Sequence, residues 1–133
     1  MTPSSKKRPL TRNDMRDRID AYFDALDTND PSRAASCFAI DATLTCESDG
    51  THLQGTNAIE TFFREICGES TGMTHSLLNT VIDLDARTAA AELTYRDTLK
   101  DGRHYDMRNC NFFDFDQTGN FTRVHFWLGA PLE

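Results

Sequence analysis

The chain contains no apolar run approaching the roughly 18 residues that a membrane-crossing helix needs, and its mean hydropathy is -0.55. A membrane is therefore not an expected partner. A basic excess is missing too, since 14 lysines and arginines stand against 21 acids for a net charge of -7. That balance repels phosphate backbones, which removes nucleic acid from the expected partners. Cysteine is sparse: Cys37, Cys46, Cys67 and Cys110 form no Cys-x-x-Cys pair. Behind the basic Lys6, Lys7 and Arg8 there is no apolar segment of the kind a secretory signal carries. Free, mostly buried thiols in a cytoplasmic protein are the expectation. A glycine-rich phosphate loop and a nucleophile flanked by glycines are both absent, which leaves nucleotide cofactors and covalent hydrolase chemistry without support. His52, His104 and His125 have no partner at metal-ligand spacing. No cofactor and no metal is expected, so the chemistry must come from side-chain acids and bases.

What the 133 residues do contain is enough chain to bury one core. Residues 1–10 read as a disordered tail and 11–133 as a single domain. Thr11 to Asp14 offer capping groups, and Met15, Ile19, Tyr22, Phe23 and Leu26 then repeat at helical spacing. Asp30-Pro31 restarts a short helix through Phe38. Ala42 to Glu47 alternates like a strand, and Ser48-Asp49-Gly50 turns it into a small hairpin expected to stand apart from the main sheet. Ile59, Phe62, Phe63 and Ile66 define a third helix from Thr56 to Cys67, ended by Gly68. After a polar loop at Glu69 to Gly72, turns at Asp85–Arg87, Asp101-Gly102 and Asp116–Asn120 divide the rest into four long strands. The fold class is α+β: a cone-shaped, curved antiparallel sheet of four long strands plus the small hairpin, with three helices on its concave face.

The hairpin from Met73 to Asp97 carries the first chemical signal. Antiparallel strands joined near residue 86 put His75 and Asp97 at the same end of the sheet. Asp97, with Tyr95, is either a second acid or base at a pocket mouth or the partner of Arg96 or Arg108 in a surface ion pair. Asn109 and Asn111 share a strand face with Tyr105, Met107 and Phe113, and amides among apolar groups need partners: a ligand's oxygens, or each other. Tyr22 has a phenol that either donates to a ligand oxygen or meets a backbone carbonyl. The last strand offers Val124 and Phe126 to the interior and Arg123, His125 and Trp127 to the outside. A large aromatic on that outer face predicts a homodimer. Many rings inside predict a small hydrophobic ligand.

Three short patterns, Tyr-Phe-x-x-Leu-Asp at 22–27, Gly-Thr-Asn-Ala-Ile at 55–59 and His-x-x-x-Asn at 75–79, follow one another in an order that resembles the SnoaL-like branch of the nuclear transport factor 2-like superfamily. The resemblance covers roughly residues 12 to 130. Its members include dehydratases, isomerases, cyclases and epoxide hydrolases, so fold alone does not choose a reaction. This chain is most similar to scytalone dehydratase, bile-acid dehydratase and the dehydrochlorinase-type members. Such a resemblance implies that Asp27 and His75 form a catalytic pair, with Tyr22 a pocket tyrosine and Asn111 at the oxyanion-binding position of ketosteroid isomerase. Cys46 falls where that isomerase keeps its catalytic base, and a thiol cannot take a carboxylate's part. The implied activity is a cofactor-independent lyase or isomerase. A non-catalytic ligand-binding or dimerisation module of the same fold is the rival, and a core histidine bonded to a helix-end aspartate is the plainer account of His75.

Overall fold

Thr11 opens the first helix by a reciprocal cap: its Oγ1 accepts from the Asp14 N–H (3.1 Å) while its own N–H donates to Asp14 Oδ2 (2.9 Å), closing two of the orphan donors of the first turn. The computed structural model describes residues 8–129. Helix α1, Arg12–Asp27, buries Met15, Ile19, Tyr22, Phe23 and Leu26, the stripe read from the sequence. Of the tail expected over Met1 to Leu10, the first seven residues lie outside the described residues. Of the last three, Arg8 pairs with Asp14 at 2.7 Å and Leu10 packs on the core.

The chain leaves α1 through Asn29, whose φ of 58° reverses the backbone, and Asp30 caps α2, Pro31–Ala35. Strand β1, Phe38–Cys46, starts earlier than expected and turns at Ser48–Gly50 into β2, Thr51–Gln54. Helix α3, Thr56–Glu69, buries Ile59, Phe63 and Cys67 and runs through Gly68 without stopping. It passes directly into β3, Ser70–Asp83, so the expected polar loop at Glu69 to Gly72 is helix end and strand. Then follow β4, Thr88–Leu99, β5, His104–Phe115, and β6, Phe121–Trp127.

All six strands form one sheet in the order β2-β1-β6-β5-β4-β3. The small hairpin does not stand apart. Leu44 lies beside Val124 and Cys46 beside Phe126 in a parallel β1/β6 pair. The local pattern contained this strand but not its partner, because the partner lies some eighty residues on. The fold is thus α+β, with a curved open sheet and three helices. Its core joins α1 and α3 to the inner sheet face through Phe63, Phe113, Phe121 and Val124, each at most 1% exposed. Burying such rings supplies about 1.5–3 kcal/mol apiece before entropy is charged.

Candidate acid–base site

Asp27 is the last residue of α1, and Phe23 lies one turn before it on the same helix face. Both meet His75 of β3. Asp27 Oδ1 accepts from His75 Nδ1 at 2.6 Å, and Asp27 Oδ2 accepts from the His75 backbone N–H at 2.9 Å. An ionised carboxylate only accepts, so Nδ1 carries the proton and the neutral ring keeps its lone pair on Nε2, which has no protein partner among the described residues. Phe23 stacks on one face of the imidazole (centroids 4.9 Å apart) and Tyr95, directly opposite in the β3/β4 register, lies on the other (5.0 Å). Helix, strand and neighbouring strand thus fix one ring in position and tautomer. The helix ends with no basic side chain in its last turn, so its partial negative charge and the Asp27 carboxylate lie at the same end, beside the ring.

His75 opens into a cavity of about 250 Å³. One wall is Tyr22, Phe23 and Leu26 of α1; another is Phe62, Phe63 and Ile66 of α3; the sheet adds Met73, Leu93, Met107 and Phe126. Asp49, from the β1/β2 turn, also lines it; its carboxyl is held below the usual range mainly by the Thr51 N–H. Nothing in the sequence marked that turn residue for the pocket. Among the described residues, no lysine or arginine lines the cavity. A larger groove of about 540 Å³ runs outside α1 between Arg8, Arg18 and Gly119; solvated charges line it, and it lacks the shielding that makes acid–base pairs effective.

Polar groups reach the cavity from β5. Asn109 and Asn111 are 6% and 5% exposed. Asn109 Oδ1 accepts from the Gly129 N–H at 3.1 Å, leaving its NH2 for other partners. Only glycine fits there, because a Cβ on Gly129 would run into the Arg108 carbonyl. The Asn111 amide has no protein partner among the described residues, nor does the Tyr22 hydroxyl. Tyr22 is packed among Phe38, Phe63 and Phe121, and burial drives its phenol well above the ordinary tyrosine value. Its hydroxyl makes none of the backbone bonds expected of an ordinary core tyrosine.

Two expected pocket residues lie elsewhere. Val124 is fully buried in the core and does not line the cavity. Asp97 is 3% exposed and pairs with neither Arg96 nor Arg108; its oxygens accept from Ser70 Oγ (2.5 Å) and the Tyr95 hydroxyl (2.6 Å). The surface-pair account of Asp97 is overturned, since its strand phase turns it inward with Leu93 and Tyr95. Ser70 had no signal of its own, sitting in the supposed loop. Cys46 lines the cavity beside Phe126, and burial pushes its thiol up, so it stays protonated. All four cysteines are unpaired. His52 and His104 bond Thr45 and Thr98, and no cluster able to hold a metal occurs among the described residues.

Residues 19–124 match the family described as the SnoaL-like domain. No curated protein matches the chain. Among solved structures, the BvnE pinacolase of Penicillium brevicompactum is 13% identical with a TM-score of 0.79, covering 90% of this chain and 88% of that one. SalBIII, an epoxide hydrolase/cyclase-like enzyme of pyran-ring formation in salinomycin, is 15% identical with a TM-score of 0.77, covering 89% and 92%. A hypothetical protein with a ketosteroid isomerase-like fold from Catenulispora acidiphila, solved with trimethylamine, is 12% identical with a TM-score of 0.76, covering 85% of each. At such identities the likeness is one of fold.

Proposed function

We propose, from the premise that this chain belongs to the SnoaL-like domain family, that it is a cofactor-independent lyase or isomerase acting on a small, neutral, hydrophobic molecule. The observation that carries the reading is the two-point grip of Asp27 on His75, at 2.6 Å to Nδ1 and 2.9 Å to the backbone N–H, beside a cavity with amides in its wall. His75 Nε2 removes a proton next to an electron-withdrawing group. Asp27 orients the ring and stabilises the imidazolium that forms. Asn111, with the free NH2 of Asn109, donates to the oxygen on which negative charge develops. Elimination of water or a shift of a double bond then follows, with the imidazolium returning the proton to the leaving oxygen or to carbon.

The volume limits the substrate. About 250 Å³ falls below the ~300–1,000 Å³ of common ligand pockets, which favours a one- or two-ring polyketide or terpenoid over a four-ring steroid. The missing cations argue against a ligand anchored by carboxylate or phosphate. The rival, a binding or dimerisation module, predicts a cavity filled by phenylalanine or the pair bonded elsewhere; the open volume and the Asp27/His75 contact support the enzyme reading over it. We also read the protein as a cytoplasmic homodimer joined through the outer sheet face. There Phe112 and Trp127 are 41% and 40% exposed, and four unpaired thiols suit a reducing compartment.

The test is a thermal-shift screen of small neutral ketones, phenols and alcohols, followed by mass spectrometry of the binders after incubation with enzyme. Loss of water or an isomerised product, abolished by His75→Ala, supports the reading. Binders recovered unchanged at every pH would favour the module.

A further inference from the structure

Asp97 is the only buried acid among the described residues, and it has no cation. Arg96 pairs instead with Asp106 (3.2 Å) and Arg103 with Asp101 (2.8 Å). A buried carboxylate is costly to desolvate, and only the hydroxyls of Ser70 and Tyr95 offset it. Tyr95 also lies against His75, its ring tilted by 32° with centroids 5.0 Å apart, and is aligned with it across β3 and β4. The carboxylate therefore stands one tyrosine away from the imidazole.

We infer that Asp97 is a positioning residue for His75: it fixes Tyr95 as one jaw of the clamp on the imidazole and sets a second negative charge near the imidazolium. The geometry requires no contact between Asp97 and ligand. A tyrosine face attracts a cation, so the jaw favours the protonated ring more than the neutral one. The charged and titratable groups around His75 act in one direction. Asp27 bonds it from α1, where Asp20 and Asp24 line the same surface groove; Tyr95 and Asp97 lie on β4, and Tyr105 stacks behind Tyr95 on β5. Asp49 shares the cavity. None is a cation, so proton abstraction by His75 is assisted from both sides of the ring.

A purely structural role is the competing account. Ser70 Oγ also accepts from the Gly72 N–H at 3.0 Å, so the network would pin the junction of α3 and β3 onto β4. That role predicts lost stability on substitution and no effect on the imidazole. The inference deepens the reading of His75 as base and rests on it for its significance, but its test needs no substrate.

The measurement is NMR titration of the histidine ring signals in the wild type, Asp97→Asn and Asp97→Ser, with His75 assigned by the signal missing in His75→Ala. Both variants remove the charge and keep a partner for Ser70, so one serves if the other fails to fold. Proton uptake by His75 should move to lower pH by about 0.5–1 unit in either variant, with the outer His125 unmoved. An unchanged His75 titration in a folded variant, or an equal shift at His125, overturns the inference. Should His75 shift as expected while His75→Ala keeps its turnover, the positioning stands and the catalytic reading falls.

Discussion

The sheet carries a histidine–carboxylate pair on each face, and the two differ in how firmly the ring is held and in how far it is buried. On the inner face His75 is held at two points by Asp27 and lies between Phe23 and Tyr95, with side chains 10% and 22% exposed. On the outer face His125 meets Glu47 through one contact of 3.2 Å, with side chains 16% and 36% exposed. His125 too has aromatic neighbours, Phe112 at 5.4 Å and Trp127 at 5.0 Å. Aromatic company and a carboxylate are therefore common to both pairs. What separates the pairs is that His75 lines a cavity and that its carboxylate makes a second hydrogen bond, to the His75 backbone N–H.

The sharpest way to break this comparison is to delete the inner pair. His75→Ala and Asp27→Asn should each lower kcat by a factor on the order of 100 or more. The double variant should be little worse than His75→Ala, since Asp27 acts through the imidazole. Turnover should fall at acid pH, where a protonated imidazole accepts nothing. His125→Ala should leave turnover near wild type. Equal losses from His75→Ala and His125→Ala would erase the distinction.

A second break concerns what the outer face does instead. Val81, Ala90, Phe112 and His125 align across β3, β4, β5 and β6, and Val81 is 61% exposed. As the seat of a second copy, this row should be sensitive to charge. Trp127→Glu or Phe112→Glu should convert a dimer into a 15.0 kDa particle by light scattering. A wild type already of that size at micromolar concentration would end the idea.

How much of this was legible follows from range. The stripes of α1 and α3 and the turn at Asp101-Gly102 are local, and periodicity revealed them. Strand phase put Asn109, Asn111 and Phe126 inside and His125 outside, as observed. The parallel docking of β1 on β6 was not legible, because nothing near Leu44 encodes Val124. Depth was not legible either: phase turned Val124 inward without showing that it lies below the cavity. Asp97 was misread because a charged residue between Arg96 and Thr98 suggests solvent, and only Ser70, brought in by an uninterrupted α3–β3 passage, gives it a buried place. The Asp27/His75 juxtaposition was implied by resemblance and not by any rule of spacing.

A third test separates the interior from the outer face by alkali. Burial, first, and then the bond to Asp97 raise the Tyr95 phenol, and burial raises Tyr22. A group raised on folding contributes stability that is complete below its unfolded value, about 10 for tyrosine, and is lost as pH climbs toward the folded one. Unfolding by urea should therefore become easier over about pH 10 to 12. Tyr95→Phe should flatten that decline. A slope unchanged in both Tyr95→Phe and Tyr22→Phe would show that neither phenol is as desolvated as its surroundings indicate.

The smallest expected effect belongs to the outer pair, and it tests whether geometry or composition sets the worth of a histidine–carboxylate contact. Glu47 is over a third exposed and touches His125 through one oxygen, so water screens the attraction and side-chain ordering offsets what is left. Glu47→Gln keeps the shape and removes the charge, and should cost only about 0.2–1 kcal/mol by denaturant unfolding. Asp27→Asn should cost more in the same measurement. It removes a charged acceptor from two donors at once, and hydrogen bonds to charged groups contribute about 1.5–3 kcal/mol each. Added salt should widen the difference slightly, since it weakens the exposed pair more than the half-buried one. Were Glu47→Gln to prove the costlier change, the outer pair would be holding the β1/β6 junction together, and the assignment of the two faces to chemistry and to assembly would need to be redrawn around Glu47.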